Sequence, residues 1–141
     1  MIKRILVGID FSGASMFALA QAHEWANRLG VPLVAAHILQ PPAPMLPEAQ
    51  MAMPDPAWLD TIEAHAVEQL RLCVQDYPGT GILVKWGSPA DELVGEADAS
   101  TLIVVAHVGH SAFQSILFGS TAVKVVKHAP GDVLVVRKPR S

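Results

Sequence analysis

The sequence predicts an α/β protein in which a parallel sheet carries helices on both faces. Five short runs rich in Val, Ile and Leu, at 5–9, 33–38, 82–86, 102–106 and 133–136, are spread along the chain. Most are continuously apolar rather than alternating, as strands covered on both faces are. Helical patterns fill the intervals, and strands that alternate with helices build parallel sheets.

Composition narrows the class. A length of 141 residues suits one domain, 1–141. Hydrophobic residues make up 51% and charged residues 16%, against about 25% charged in an average protein. Such a chain buries enough apolar surface to offset its ordering entropy, so wholesale disorder is excluded. The apolar runs fall far short of the roughly 18 residues of a spanning helix. The single cysteine, Cys73, excludes an internal disulfide framework and a multi-cysteine metal site. Met1-Ile2-Lys3-Arg4 leads straight into a strand pattern without an apolar leader, so a cytoplasmic location is expected. The net charge of −3 gives no general pull toward nucleic acid or membrane. The low charged fraction points to surface covered by another copy of the chain.

Each helix has its own punctuation. The first is expected over 13–29, with Ala18, Ala22, Trp25, Ala26 and Leu29 on one face and Gly30 as a left-handed cap. The second opens at Asp55-Pro56. Its Leu59, Ile62, Ala66, Leu70, Cys73 and Tyr77 keep helical spacing, and Pro78-Gly79 ends it. The third is capped by Ser88 ahead of Pro89, with Asp91 three residues after the cap. The fourth starts at Gly119-Ser120-Thr121 and stops at Ala129-Pro130, with Lys124, Lys127 and His128 toward its carbonyl end. Two connections are long. Residues 40–55 hold five prolines with Met45, Met51 and Met53, and the loop between His107 and Phe118 exceeds the two to six residues usual after a strand.

In parallel sheets, ligands bind beyond the carboxyl ends of the strands. Two clusters follow strands here: Asp10-Phe11-Ser12-Gly13, and Ala106-His107-Val108-Gly109 with Gly119-Ser120-Thr121 nine residues later. Glycine lets the backbone approach an anion, helix-opening amides point at it, and hydroxyls add donors. An acid such as Asp10 can accept hydrogen bonds from ribose. The plainer alternatives are an ordinary helix cap at Gly119-Ser120 and a turn acid at Asp10.

Taken together, these residues resemble the universal stress protein family. The resemblance spans almost the whole chain, including Ile5-Leu6-Val7-Gly8-Ile9-Asp10-Phe11-Ser12, His37-Ile38, Gly87-Ser88-Pro89-Ala90, His128-Ala129-Pro130 and the closing Val133-Leu134-Val135-Val136-Arg137. Gly109, the nine-residue spacer and Gly119-Ser120 fit the family's nucleotide pattern, but Ala106 stands where its first glycine would be. The resemblance implies a five-stranded parallel sheet in the order 3-2-1-4-5, of the adenine nucleotide alpha hydrolase-like, Rossmann-like kind. It implies that Asp10 contacts the nucleoside and that backbone at Ile38 contacts adenine. It also implies that Val105, Ala106, His107, Val108 and Gly109, with Gly119, Ser120 and Thr121, hold ribose and phosphates. The expected ligand is ATP, ADP or AMP, with Mg2+ as an optional companion.

Ala106 ends a strand, so its cost is one methyl group near the ligand, whereas Gly109 and Gly119 are expected to need glycine freedom. Val108 and His110 stand where many nucleotide-binding relatives carry arginine, which leaves a phosphate tail without a guanidinium fork. Other motifs are weaker. His107 and His110 lack a nearby cysteine or carboxylate to complete a metal site. The run 109–113 lacks the second glycine of a hydrolase elbow, and no lysine precedes Ser120 as in an NTPase phosphate loop, so fast turnover is not expected. Lys124, Lys127, Arg137, Lys138 and Arg140 read as a solvated face and tail, Cys73 as a buried small hydrophobe, and the three tryptophans as core or interface anchors.

The resemblance makes 133–137, with Val133 and Arg137 at its ends, an exposed sheet edge that forms a homodimer, with a tetramer as a further option. The resulting expectation is a stress-response protein that binds an adenine nucleotide as a regulatory ligand in a homo-oligomer. Two readings stand beside it: a dimeric interaction protein with a vestigial pocket, and slow phosphatase or self-phosphorylating chemistry at Ser120 and Thr121.

Overall fold

The structure is a computed structural model and describes residues 1–41, 55–108 and 119–139. In chain order the elements are β1 (Arg4–Gly8), α1 (Gly13–Leu29), β2 (Leu33–Leu39), α2 (Pro56–Cys73), β3 (Gly81–Trp86), α3 (Pro89–Glu96), β4 (Thr101–Ala106), α4 (Ser120–His128) and β5 (Val133–Val136). The strands form one sheet in the order β3-β2-β1-β4-β5, and every neighbouring pair is parallel. Strand order reverses between β1 and β4, which opens a crevice at their carboxyl ends.

Alternation along the strands explains why their sequences are apolar throughout. Ile5, Val7, Leu102 and Val104 point into a core shared with α1 and with Leu70 of α2. Leu6, Ile103 and Val105 point into the opposite core, shared with α3 and α4. Both faces of β1 and β4 are therefore dry, as period-2 geometry requires of a doubly covered strand. Small residues set the spacing on the first face, where Ala18 and Ala22 of α1 are fully buried.

The helix ends behave as their sequences suggest, with three exceptions. Ser12 caps α1, its side chain accepting from the Ser15 amide, and Gly30 closes the helix at φ 65°. Asp55 caps α2 through the Ala57 amide. However, α2 ends at Cys73 rather than at Tyr77. Tyr77 lies in a following turn, where its amide bonds the Val74 carbonyl at 2.9 Å, and Pro78 disfavours helix at the residue before it. Ser88 occupies the cap position of α3 without a side-chain cap bond. In α4 the cap is Gly119, and Ser120 is the first helical residue. Trp25 and Leu29 were expected on the buried stripe of α1 but are 43% and 45% exposed. Cys73 is half-buried rather than buried, and this desolvation pushes its thiol pKa up.

Candidate functional site

A cleft of about 420 Å3 opens at the carboxyl edge of the sheet, where β1 and β4 diverge. Its floor is the end of β1, at Gly8 and Ile9. A Cβ at Gly8 would lie 2.9 Å from the Leu93 Cδ1, so the missing side chain lets α3 close over the strand end.

One wall follows β1. Asp10 lines the cleft, and its Oδ1 accepts from the Ser12 amide at 2.9 Å and from the Ser12 hydroxyl. The Ser12 hydroxyl in turn accepts from the Ser15 amide at 3.1 Å. The buried Ser15 hydroxyl receives the Asp10 amide at 3.2 Å and donates to the Ser12 carbonyl at 3.1 Å. Phe11, in the middle of this turn, has φ 63°, a conformation that L-residues with large side chains seldom adopt. The turn-acid and cleft-wall readings of Asp10 thus coexist: the carboxylate that shapes the turn also faces the crevice.

The second wall comes from β2. Ile38 lines the cleft, and so do His37 and Gln40 beside it. The His37 Nδ1 lies 2.7 Å from the Ile9 carbonyl oxygen, and its ring meets Phe11 at a centroid distance of 4.4 Å. The resemblance includes His37-Ile38 but assigns a ligand contact to Ile38 alone; the His37 contact joins residues 28 positions apart.

The third wall is the end of β4 and the start of α4. Val105, Ala106 and Val108 line the cleft, as do Gly119, Ser120 and Thr121. His107 is not among the lining residues. Its amide instead donates to the Val136 carbonyl at 3.0 Å, and its carbonyl accepts the Gly119 amide, which ties β4 to the start of α4. Gly119 has φ −67° and ψ 155°, a conformation open to any residue, so the expected need for glycine freedom there does not hold. With the Gly119 amide engaged, the amides without an intrahelical acceptor are those of Ser120, Thr121 and Ala122, and all three residues line the cleft. Ala122 was not foreseen. Its place follows from the cap standing at Gly119. Gly109 and His110 lie outside the described residues, as does most of the segment 40–55.

The arrangement combines an apolar floor, a carboxylate at Asp10, two helix-opening hydroxyls and the positive end of α4. A group with a flat apolar face, hydroxyls and an anion matches that set. Among the described residues, no three His, Cys, Asp or Glu side chains gather into a metal-binding group. No helix among them is long and apolar enough to cross a membrane.

The chain belongs to the universal stress protein family, whose model matches residues 1–137. It is 33% identical over 138 residues to a universal stress protein of Mycolicibacterium smegmatis, covering 94% of this chain and 45% of that protein. The chain thus spans about half the length of the curated relatives it first matches. Among solved structures, it resembles the universal stress protein UspA from Lactobacillus plantarum with 28% identity and a TM-score of 0.78, covering 96% of this chain and 97% of that one. It also resembles a universal stress protein in complex with cAMP, with 25% identity, a TM-score of 0.57 and 95% coverage of both chains.

Proposed function

We propose that this chain is a stress-response protein that binds an adenine nucleotide as a regulatory ligand in the cleft at the β1–β4 crossover. One observation carries the reading. Asp10, Ile38, the end of β4 and the Ser120-Thr121 opening of α4 come from separate stretches of sequence and meet around a single cleft. The apolar floor suits a base, the carboxylate suits ribose hydroxyls, and the α4 amides suit a phosphate. A family relative crystallised with cAMP supports this assignment of ligand class. The nucleotide would act by ordering the walls it bridges, so that assembly or partner choice follows occupancy.

Titration calorimetry on the wild type and on Gly119→Val tests this. Gly119 lines the cleft and its φ of −67° suits valine, so the substitution adds bulk at the lining without straining the backbone. Binding of at least one adenine nucleotide by the wild type, weakened about tenfold or more in the variant, is expected. Negligible heat with AMP, ADP and ATP overturns the reading.

A self-association surface belongs to the same proposal. β5 is an edge of the sheet, and Val123 and Val126 of the neighbouring α4 are 38% and 56% exposed. An apolar edge of this kind recruits another chain unless it is covered. Sedimentation at equilibrium should give a dimer or larger species, and a monomer at all concentrations counts against the homo-oligomer.

A vestigial pocket in a dimeric interaction protein is the second reading. Alanine at Ala106 and the apolar side chain of Val108 favour it, since both line the cleft without offering a polar group. The same calorimetry separates the two.

A further inference from the structure

We infer that two copies of this chain pair their β5 strands antiparallel, in a register centred on Val135 that sets Asp132 of each copy opposite Lys138 of the other. This rests on the self-association reading above and adds to it the register and the charges that select it.

Hydrogen bonding identifies the spare backbone groups of β5. Among the described residues, its one neighbouring strand is β4. The Asp132 carbonyl accepts from the Ile103 amide and the Val136 carbonyl from the His107 amide, each at 3.0 Å. Successive residues of a strand turn their peptide groups to opposite sides, so Leu134 also faces β4, while Val133, Val135 and Arg137 face the open edge. Such an unpaired row is a template for another strand.

Two-fold symmetry restricts how a second copy can use it. Identical chains associate most often about a two-fold axis, where every contact recurs with its roles exchanged. An axis that sets two β5 edges side by side in antiparallel fashion is normal to the sheet, so each face of one copy continues into the same face of the other. Leu134 and Val136 belong to the core beneath α1, and Val133 and Val135 to the core beneath α4. A centre between two residues would set Leu134 opposite Val135, whose side chains leave on opposite faces. The centre therefore falls on a residue.

Three centres keep the strands overlapped, and the flanking residues separate them. Centring on Leu134 sets Asp132 opposite apolar Val136 and Lys138 opposite Pro130. Centring on Val136 sets Lys138 opposite Leu134, and it brings Pro139, which has no N–H to donate, opposite the outward groups of Val133. Centring on Val135 lets Val135 exchange both bonds with its own copy and Val133 exchange them with Arg137. It also aligns Leu134 with Val136 and sets exposed Asp132 opposite exposed Lys138, twice by symmetry. Opposite charges directly across an antiparallel pair stabilise it, and like charges destabilise it.

Cross-linking and charge exchange on the whole chain test this, with Cys73→Ala as background. Residues exchanging both bonds have Cα atoms about 5.5 Å apart, within the reach of a disulfide. Val135→Cys should therefore give a covalent dimer on mild oxidation. Leu134→Cys should not, because the two copies of that residue lie on a diagonal of about 7–8 Å. In sedimentation equilibrium, Asp132→Lys should weaken the dimer about tenfold, and adding Lys138→Asp to it should restore the wild-type affinity. Both residues are exposed, so neither exchange disturbs the core. Cross-linking through position 134 but not 135, or a double exchange no tighter than Asp132→Lys alone, overturns the inference while leaving self-association in place. A wild type that is monomeric at all concentrations overturns the self-association reading itself, so the two failures are distinct.

Discussion

The Nδ1 of His37 lies 2.7 Å from the carbonyl oxygen of Ile9, which binds the end of β2 to the end of β1 at the mouth of the cleft. A carbonyl can only accept, so Nδ1 is the donor in this bond. Phe11 packs against the same ring, so the left-handed turn after β1 and the β2 wall hold each other. His37→Ala should lower stability by about 1 kcal/mol or more, from the lost hydrogen bond and ring contact. It should also weaken nucleotide binding. Urea unfolding and calorimetry check the two halves, and unchanged stability would mean that the bond contributes nothing.

Glycine substitutions should separate close approach from mere flexibility. A Cβ at Gly131 would lie 2.7 Å from the Ala99 carbonyl oxygen and 3.1 Å from that of Thr101, both rigid backbone. Gly131→Ala should therefore cost about 1–3 kcal/mol. Gly95 is in α3 with nothing within 4 Å of an added Cβ, so Gly95→Ala should stabilise by about 0.5–1 kcal/mol. Thermal melts of the pair should move in opposite directions.

Acid should loosen the turn between α3 and β4. The Ser100 hydroxyl and amide, then the Thr101 hydroxyl, donate to Asp98 and hold its carboxyl below the ordinary range. The folded state then gives up its proton more readily than the unfolded chain. The stability contributed is complete above the unfolded carboxylate pKa of about 3.9 and is lost as pH falls through the lower folded value. Asp98→Asn should be less stable than wild type near neutrality, and the gap should close in acid. A gap independent of pH in urea titrations would refute this assignment.

Ile103 is fully buried and points into the core shared by α3 and α4. Truncation to alanine leaves a void between sheet and helices, at a cost of about 2–5 kcal/mol. Chemical denaturation should show that loss, with the helical circular dichroism of the native baseline preserved.

The sheet was legible in the sequence because β1 and β4 bury alternate residues in opposite cores, and this leaves no polar position in the run from Leu102 to Val105. Helical spacing was a poorer guide. It placed Trp25 and Leu29 on the same stripe as Ala22 and Ala26, but periodicity identifies a face without saying how far the sheet extends beneath it. The same limit applies to Tyr77, which keeps the spacing of α2 after the backbone has left the helix at Val74. At the cleft, Asp10 and the Ser120-Thr121 opening were readable from their positions after a strand and before a helix, and Ile38 from the family resemblance. His37 was not, since its role arises from a long-range contact. The left-handed Phe11 also gave no signal, because nothing in its side chain favours that conformation.

Arg4 is in register with Thr101 across the centre of the sheet. A nascent chain leaving the ribosome therefore carries its first strand with one side unsatisfied until the fourth has been synthesised, and long-range pairings of this kind close slowly. The floor and far wall of the crevice cannot meet before that event. A fragment ending before Thr121 would carry Asp10 and the early strands yet lack the helix opening that lines the crevice with them.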